Sequence, residues 1–181
     1  MKHALVVGGT GMLKEVSLWL LANQHHVSII ARNPNRMQRL LEETDDKNRV
    51  TPIYVDYRDD EKLQENVQAT IEENGPIGIV IAWIHSDAPK ALEIIANTVS
   101  RKSSGWELFH VSGSRANLMD IKRKTELDGC NYHQVQLGFK VEEGHSRWLT
   151  NKEISEGVIA AVKKKSKVHL VGQLEPWEKR P

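Results

Sequence analysis

Residues 6–13 read Val-Val-Gly-Gly-Thr-Gly-Met-Leu, a glycine cluster placed where an apolar run gives way to an amphipathic one. A chain turning sharply from strand into helix needs dihedrals that glycine adopts freely. A backbone without Cβ can also come close to a pyrophosphate at the positive end of a helix. Gly8, Gly9, Thr10, Gly11, Met12 and Leu13 are therefore candidate cofactor-binding residues. The plain alternative is a tight turn with no ligand. Position decides between them: the cluster follows the first strand and opens a βαβ pattern, the context a dinucleotide site requires. The next apolar run ends Ile30-Ala31-Arg32-Asn33, where an NAD site of this type places a carboxylate on the ribose. Arg32 stands there instead, with Arg36 one helical turn on. Guanidinium groups suit a 2′-phosphate, and Asn33 caps a helix whose start favours an anion. NADP(H) is thus preferred over NAD(H), against the alternative that both arginines are ordinary surface charges.

Fewer residues present themselves for proton transfer. Ser112 and Ser114 follow the run at 106–111, at the carboxyl edge where ligands bind in open α/β sheets; they are either reactive groups or plain turn residues. His85, just after the run at 78–84, either protonates a substrate oxygen or packs at the surface or against the nucleotide. His110 lies inside its run and reads as structural. Cys130 has no visible activating base, and the scattered His, Asp and Glu show no metal-ligand spacing.

The elements that must position these groups follow from periodicity. Short β-rich runs at 3–7, 27–31, 51–55, 78–84, 106–111, 132–137 and 167–171 alternate with amphipathic stretches at 13–23, 34–43, 61–73, 89–101 and 151–164. Several runs are apolar almost throughout, as in strands buried on both faces. Repeated β-then-α order with short joins predicts right-handed crossovers, hence an α/β fold with a doubly wound, mostly parallel sheet of the Rossmann type. The stretch 114–129 is expected to be loop or a short surface helix, and 140–148 a polar substrate-side loop. One domain is expected over 1–181, with a polar tail from about 175. The 25 basic and 24 acidic residues, net +1, make no case for nucleic acid or a membrane surface. With a single cysteine and no long apolar run, a cytoplasmic protein is expected.

The glycine turn resembles the Gly-x-Thr-Gly-x-x-Gly motif of the short-chain dehydrogenase/reductase superfamily, with Lys14 where the last glycine would stand. The resemblance extends in order over most of the chain. It implies that Val55-Asp56-Tyr57 holds an adenine, so Asp56 and Tyr57 join the cofactor-binding candidates. It also implies that Ala82 and Trp83, in place of the Asn-Ala-Gly segment, line the cofactor cleft. Leu137-Gly138 takes the place of a Pro-Gly segment beside the nicotinamide. The superfamily's Tyr-x-x-x-Lys pair is missing. The residues four places after Tyr54, Tyr57 and Tyr132 are Arg58, Glu61 and Gln136. The resemblance therefore implies an atypical oxidoreductase of a small carbonyl or alcohol, acting on a small-molecule substrate and assembling as a homo-oligomer. The alternatives are a non-catalytic NADP(H)-binding redox sensor, or a Rossmann-like domain with a vestigial pocket.

Overall fold

The computed structural model describes every residue except 125 and 126, and for 123 and 124 the backbone alone. In chain order its elements are β1 (Lys2–Val7), α1 (Lys14–Ala22), β2 (His25–Ala31), α2 (Pro34–Glu42), β3 (Val50–Tyr54), α3 (Asp60–Asn74), β4 (Ile77–Trp83) and α4 (Ala91–Ser100). There follow β5 (Trp106–Ser112), α5 (Leu118–Lys124), β6 (Cys130–Leu137), β7 (Phe139–Glu142), β8 (His145–Trp148), α6 (Asn151–Lys164) and β9 (Val168–Val171). Seven strands pair in parallel in the order β3-β2-β1-β4-β5-β6-β9. The doubly wound α/β sheet read from the sequence is the one the chain forms.

Alternating side chains of each strand feed two cores. Ala4 and Val6 join Val16, Leu20, Met37, Leu40, Val158 and Ala161 beneath α1, α2 and α6. Leu5 and Val7 join Leu63, Val67, Ile95 and Val99 beneath α3 and α4. Strand order reverses on passing from β1 to β4, so a crevice opens at their carboxyl ends, where ligands bind in such sheets. Val7 pairs with both Ile30 and Ala82, which sets the ends of β1, β2 and β4 level below that crevice.

One expectation needs correction. Residues 139–148 are not a loop but an antiparallel hairpin, β7 with β8, turning at Glu143 and Gly144, both at positive φ. Glu is a poor residue for that geometry, which hid the turn. Arg147 ties the hairpin to α6 through Glu153 (2.8 Å), which also takes Lys140 (2.8 Å) and completes a capping box with Thr150. The stretch 114–129 contains α5, the short surface helix that was one of the two forms expected there. Asn117 Oδ1 accepts from the N–H groups of Met119 and Asp120, while Gln134 and Gln136 of β6 donate to the carbonyls of Leu118 and Ala116, each at 2.9 Å. Thr125 and Glu126 of that expectation lie outside the described residues. Among the described residues no helix is long and apolar enough to cross a membrane.

Candidate active site

The glycine turn divides its labour. Gly8 sits at φ +87°, and its carbonyl accepts from Gly11 and Leu13, folding the chain into the start of α1. A Cβ at Gly9 would lie 2.6 Å from Ser17 Oγ and 2.9 Å from both Ile29 and Val6, so Gly9 is what lets α1 lie close against β1 and β2. Close approach of helix to strand, which the resemblance assigns to the position now held by Lys14, is thus secured by Gly9 facing the small Ser17. Lys14 points outward to Glu43 at 2.8 Å. α1 has no side-chain cap, leaving its positive end to the crevice. Ser155 of α6 donates to the Met12 carbonyl at 2.8 Å and fixes the far side of the turn.

A cleft of about 610 Å³ lies above this turn, lined in part by Gly8, Thr10, Gly11, Met12, Arg32, Asn33, Arg36, Tyr57 and Trp83. These are candidates drawn from the sequence, and the fold brings them together. Gly9 and Leu13 are buried beneath the cleft, and Ala82 is buried in the core of the opposite face. Asp56 stands beside the cleft without lining it. Val55, from the segment expected at the adenine, lines the cleft, as do Ile30, Ala31 and Pro34, which were not among the candidates. They are apolar wall residues with no chemical signature to find.

Asn33 Oδ1 accepts from the N–H groups of Asn35 and Arg36, setting α2 so that Arg36 reaches back over the turn. Its Nη1 would be 3.5 Å from a Cβ at Gly11. Arg32 approaches Asp56 at 3.7 Å, but Arg58 grips that carboxylate at 2.7 Å. Hydrogen bonds from Arg58, with Arg32 adding a smaller charge effect, hold Asp56 well below the usual carboxylate range. The cleft fits a dinucleotide phosphate: it has a glycine floor that a Cβ would narrow, an uncapped helix start and two guanidinium groups at its rim.

A second cleft, about 740 Å³, adjoins the first; Trp83 and His85 line both. The indole of Trp83 spans the carboxyl edge of the sheet. Its Cβ lies 3.6 Å from a Cβ built on Gly8, and its Cη2 3.6 Å from one built on Gly113. His85 is exposed, its ring edge-on to Trp83 and its backbone N–H donating to Tyr57 Oη at 3.3 Å. Ser112, 9% exposed, lines the second cleft, whereas Ser114 is half-buried and outside its lining. His110, expected to be structural, lines it too. Its Nδ1 is 2.8 Å from Tyr132 Oη, and burial lowers its pKa to about 4. What the sequence could not show is that the sheet face at His110 is covered by the short α5 on glutamine tethers, which leaves a hollow beside it.

Residues 2–83 match the short chain dehydrogenase family. No curated protein matches the chain in sequence. Among solved structures the fold is shared with a short-chain dehydrogenase/reductase, glucose/ribitol dehydrogenase, from Brucella melitensis (TM-score 0.73, 10% identity, 94% of each chain). It is shared also with an alcohol dehydrogenase from Thermococcus sibiricus complexed with 5-hydroxy-NADP (0.70, 14%, 96% of each chain). A third is the bulky-bulky ketone specific alcohol dehydrogenase from Comamonas testosteroni (0.68, 16%, 98% of this chain and 89% of that one). At these identities the likeness is one of fold.

Proposed function

We propose that the protein is an NADP(H)-dependent oxidoreductase of a small carbonyl or alcohol, a reading supported by the match of residues 2–83 to the short chain dehydrogenase family and by the fold shared with solved dehydrogenases. The observation that carries the cofactor preference is the rim of the first cleft, where Arg32 and Arg36 stand and β2 ends without a carboxylate. When bound, NADPH supplies a hydride to the substrate carbon. Gly8 and Gly11 admit the pyrophosphate to the positive end of α1, Arg32 and Arg36 clasp the 2′-phosphate, and Tyr57 and Val55 wall the adenine side. Substrate enters the second cleft, where Trp83 excludes water between the two halves and the Ser112 hydroxyl donates to the substrate oxygen. His85 stands at the mouth shared by both.

A second reading, a redox sensor that binds NADP(H) without turning it over, is favoured by one observation. None of the three tyrosines is followed four residues on by lysine. Titration of NADPH and NADH, followed by a screen of aldehydes, ketones and quinones with NADPH, tests both. We expect NADPH to bind at least about tenfold more tightly, equivalent to ~1.4 kcal/mol; equal affinities overturn the assignment. Tight binding without turnover of any carbonyl leaves the sensor.

A further inference from the structure

We propose that Arg115 reads a carboxylate on the substrate, so that the second cleft selects carbonyl compounds with an apolar body and one negative charge. The inference rests on the oxidoreductase reading above and names the substrate class of the same cleft.

The walls of the cleft set the body. Ile84, Leu92, Val111, Ile121 and Leu127 line it together with the Trp83 indole, a surface that an aromatic ring or branched chain covers better than water does. Among the described residues Arg115 is the only lysine or arginine in that lining, and Glu93 of α4 the only carboxylate. Arg115 follows Ser112 by three residues. The Ala116 N–H donates to the Gly113 carbonyl at 3.1 Å, closing a turn over 113–116 with Arg115 as one of its two central residues. Three residues of chain span at most about 11 Å. A substrate whose carbonyl oxygen meets Ser112 therefore needs one ring or a short chain to bring a carboxylate to the guanidinium. Arg115 is exposed, which puts the charge at the mouth of the cleft and the apolar body inside.

The guanidinium is uncommitted. Among the described residues no carboxylate pairs with it and no side chain hydrogen-bonds to it. Arg115 also lines a smaller hollow of about 450 Å³, with Trp177, Glu178 and Arg180 of the tail. Arg180 is engaged there by aromatic faces, 4.7 Å from the centre of the Trp177 ring and 5.8 Å from that of Trp148. Arg115 is thus left for an incoming anion, which it can hold through two parallel N–H···O bonds. With Glu93 in the cleft and Glu178 in the hollow, one guanidinium balances one negative charge. A phosphate dianion meets added repulsion from both acids, so the charge selected is that of a carboxylate.

Calorimetric titration of the cofactor-free protein with benzoate, benzamide and phenyl phosphate at pH 7 tests the subsite without turnover. Benzoate should bind about 10–100-fold more tightly than benzamide, the worth of hydrogen bonds to a charged group. Arg115→Gln should bring the two affinities together, and Arg115→Lys should keep part of the difference. In NADPH-dependent reduction, Arg115→Gln should lower kcat/KM for 4-carboxybenzaldehyde relative to 4-methylbenzaldehyde by a similar factor. The loss should fall on KM, the mark of a group that binds without taking part in the chemistry. Benzoate binding no tighter than benzamide, or a preference that persists in Arg115→Gln, overturns the inference. Phenyl phosphate binding tighter than benzoate overturns it too, in favour of a dianion. If NADPH fails to bind, the proposed function falls and the substrate class with it. If NADPH binds and benzoate is not preferred, the substrate class falls alone and the cofactor assignment stands.

Discussion

Arg32 exposes 57% of its side chain and meets Asp56 only loosely at 3.7 Å. Arg58 already satisfies that carboxylate with three hydrogen bonds from its guanidinium, so most of the charge of Arg32 remains for a ligand. Arg32→Ala should therefore weaken NADPH binding by about 1.5–3 kcal/mol, the worth of hydrogen bonds to a charged group, and leave NADH affinity nearly unchanged. Equal losses for the two cofactors, measured by fluorescence titration, would move the 2′-phosphate elsewhere. Gly9 permits a different kind of prediction. A methyl group there meets Ser17 Oγ, Ile29 and Val6 at under 3.0 Å, all buried, so these packed side chains or α1 must shift to admit it. Gly9→Ala should cost roughly 1–3 kcal/mol, typical of overpacking, read as a lower urea midpoint. The identity of the glycines was legible in the sequence. Their separate tasks were not, because both a turn and a close approach select the same residue.

At the scale of elements, the parallel strands were legible because strands buried on both faces are nearly continuous apolar runs, as 77–83 is. Helices with caps were legible for the same local reasons. Asn33 with Pro34 starts α2, and Thr150 with Glu153 starts α6. The segment covering His110 was legible only as loop or a short surface helix, because α5 is a short polar helix held by partners far along the chain. Its anchors are the side chains of Gln134 and Gln136, 16 and 20 residues beyond the carbonyls they hold. No local pattern encodes such tethers. Gln136→Leu removes one and strands the Ala116 carbonyl, at a cost of about 1–3 kcal/mol if that group stays buried. Amide exchange over 116–122 should speed up while α1 and α6 stay protected. Uniform exchange across the molecule would mean that the tether supports global rather than local stability.

Over the whole molecule, histidines set the response to acid. His3 is buried within a polar chain, its Nδ1 2.7 Å from the Gly75 carbonyl and its Nε2 2.8 Å from Ser28 Oγ, which contacts Thr70 at 2.6 Å. Burial lowers its pKa, and His26 adds repulsion, partly offset by the bond to Gly75. Burial likewise lowers His110, to about 4. Below pH 6.5 the unfolded chain binds protons that these folded histidines refuse, so acid favours unfolding. Stability should be full above about pH 6.5 and decline as pH falls toward 4. Urea midpoints at a series of pH values should show this slope, flatter in His110→Gln. The carboxylates of Asp56 and Glu153, held down by Arg58 and Arg147 respectively, add their losses only below the ordinary carboxylate pKa, about 4.

The single indole that walls both clefts makes their occupants thermodynamically answerable to each other. Any ligand in one cleft that fixes or shifts Trp83 alters the free energy of filling the other, and the coupling must be equal in both directions. A saturating cofactor should therefore change the dissociation constant of a second-cleft ligand by the same factor as that ligand changes the cofactor's. Trp83→Ala should bring that factor close to one.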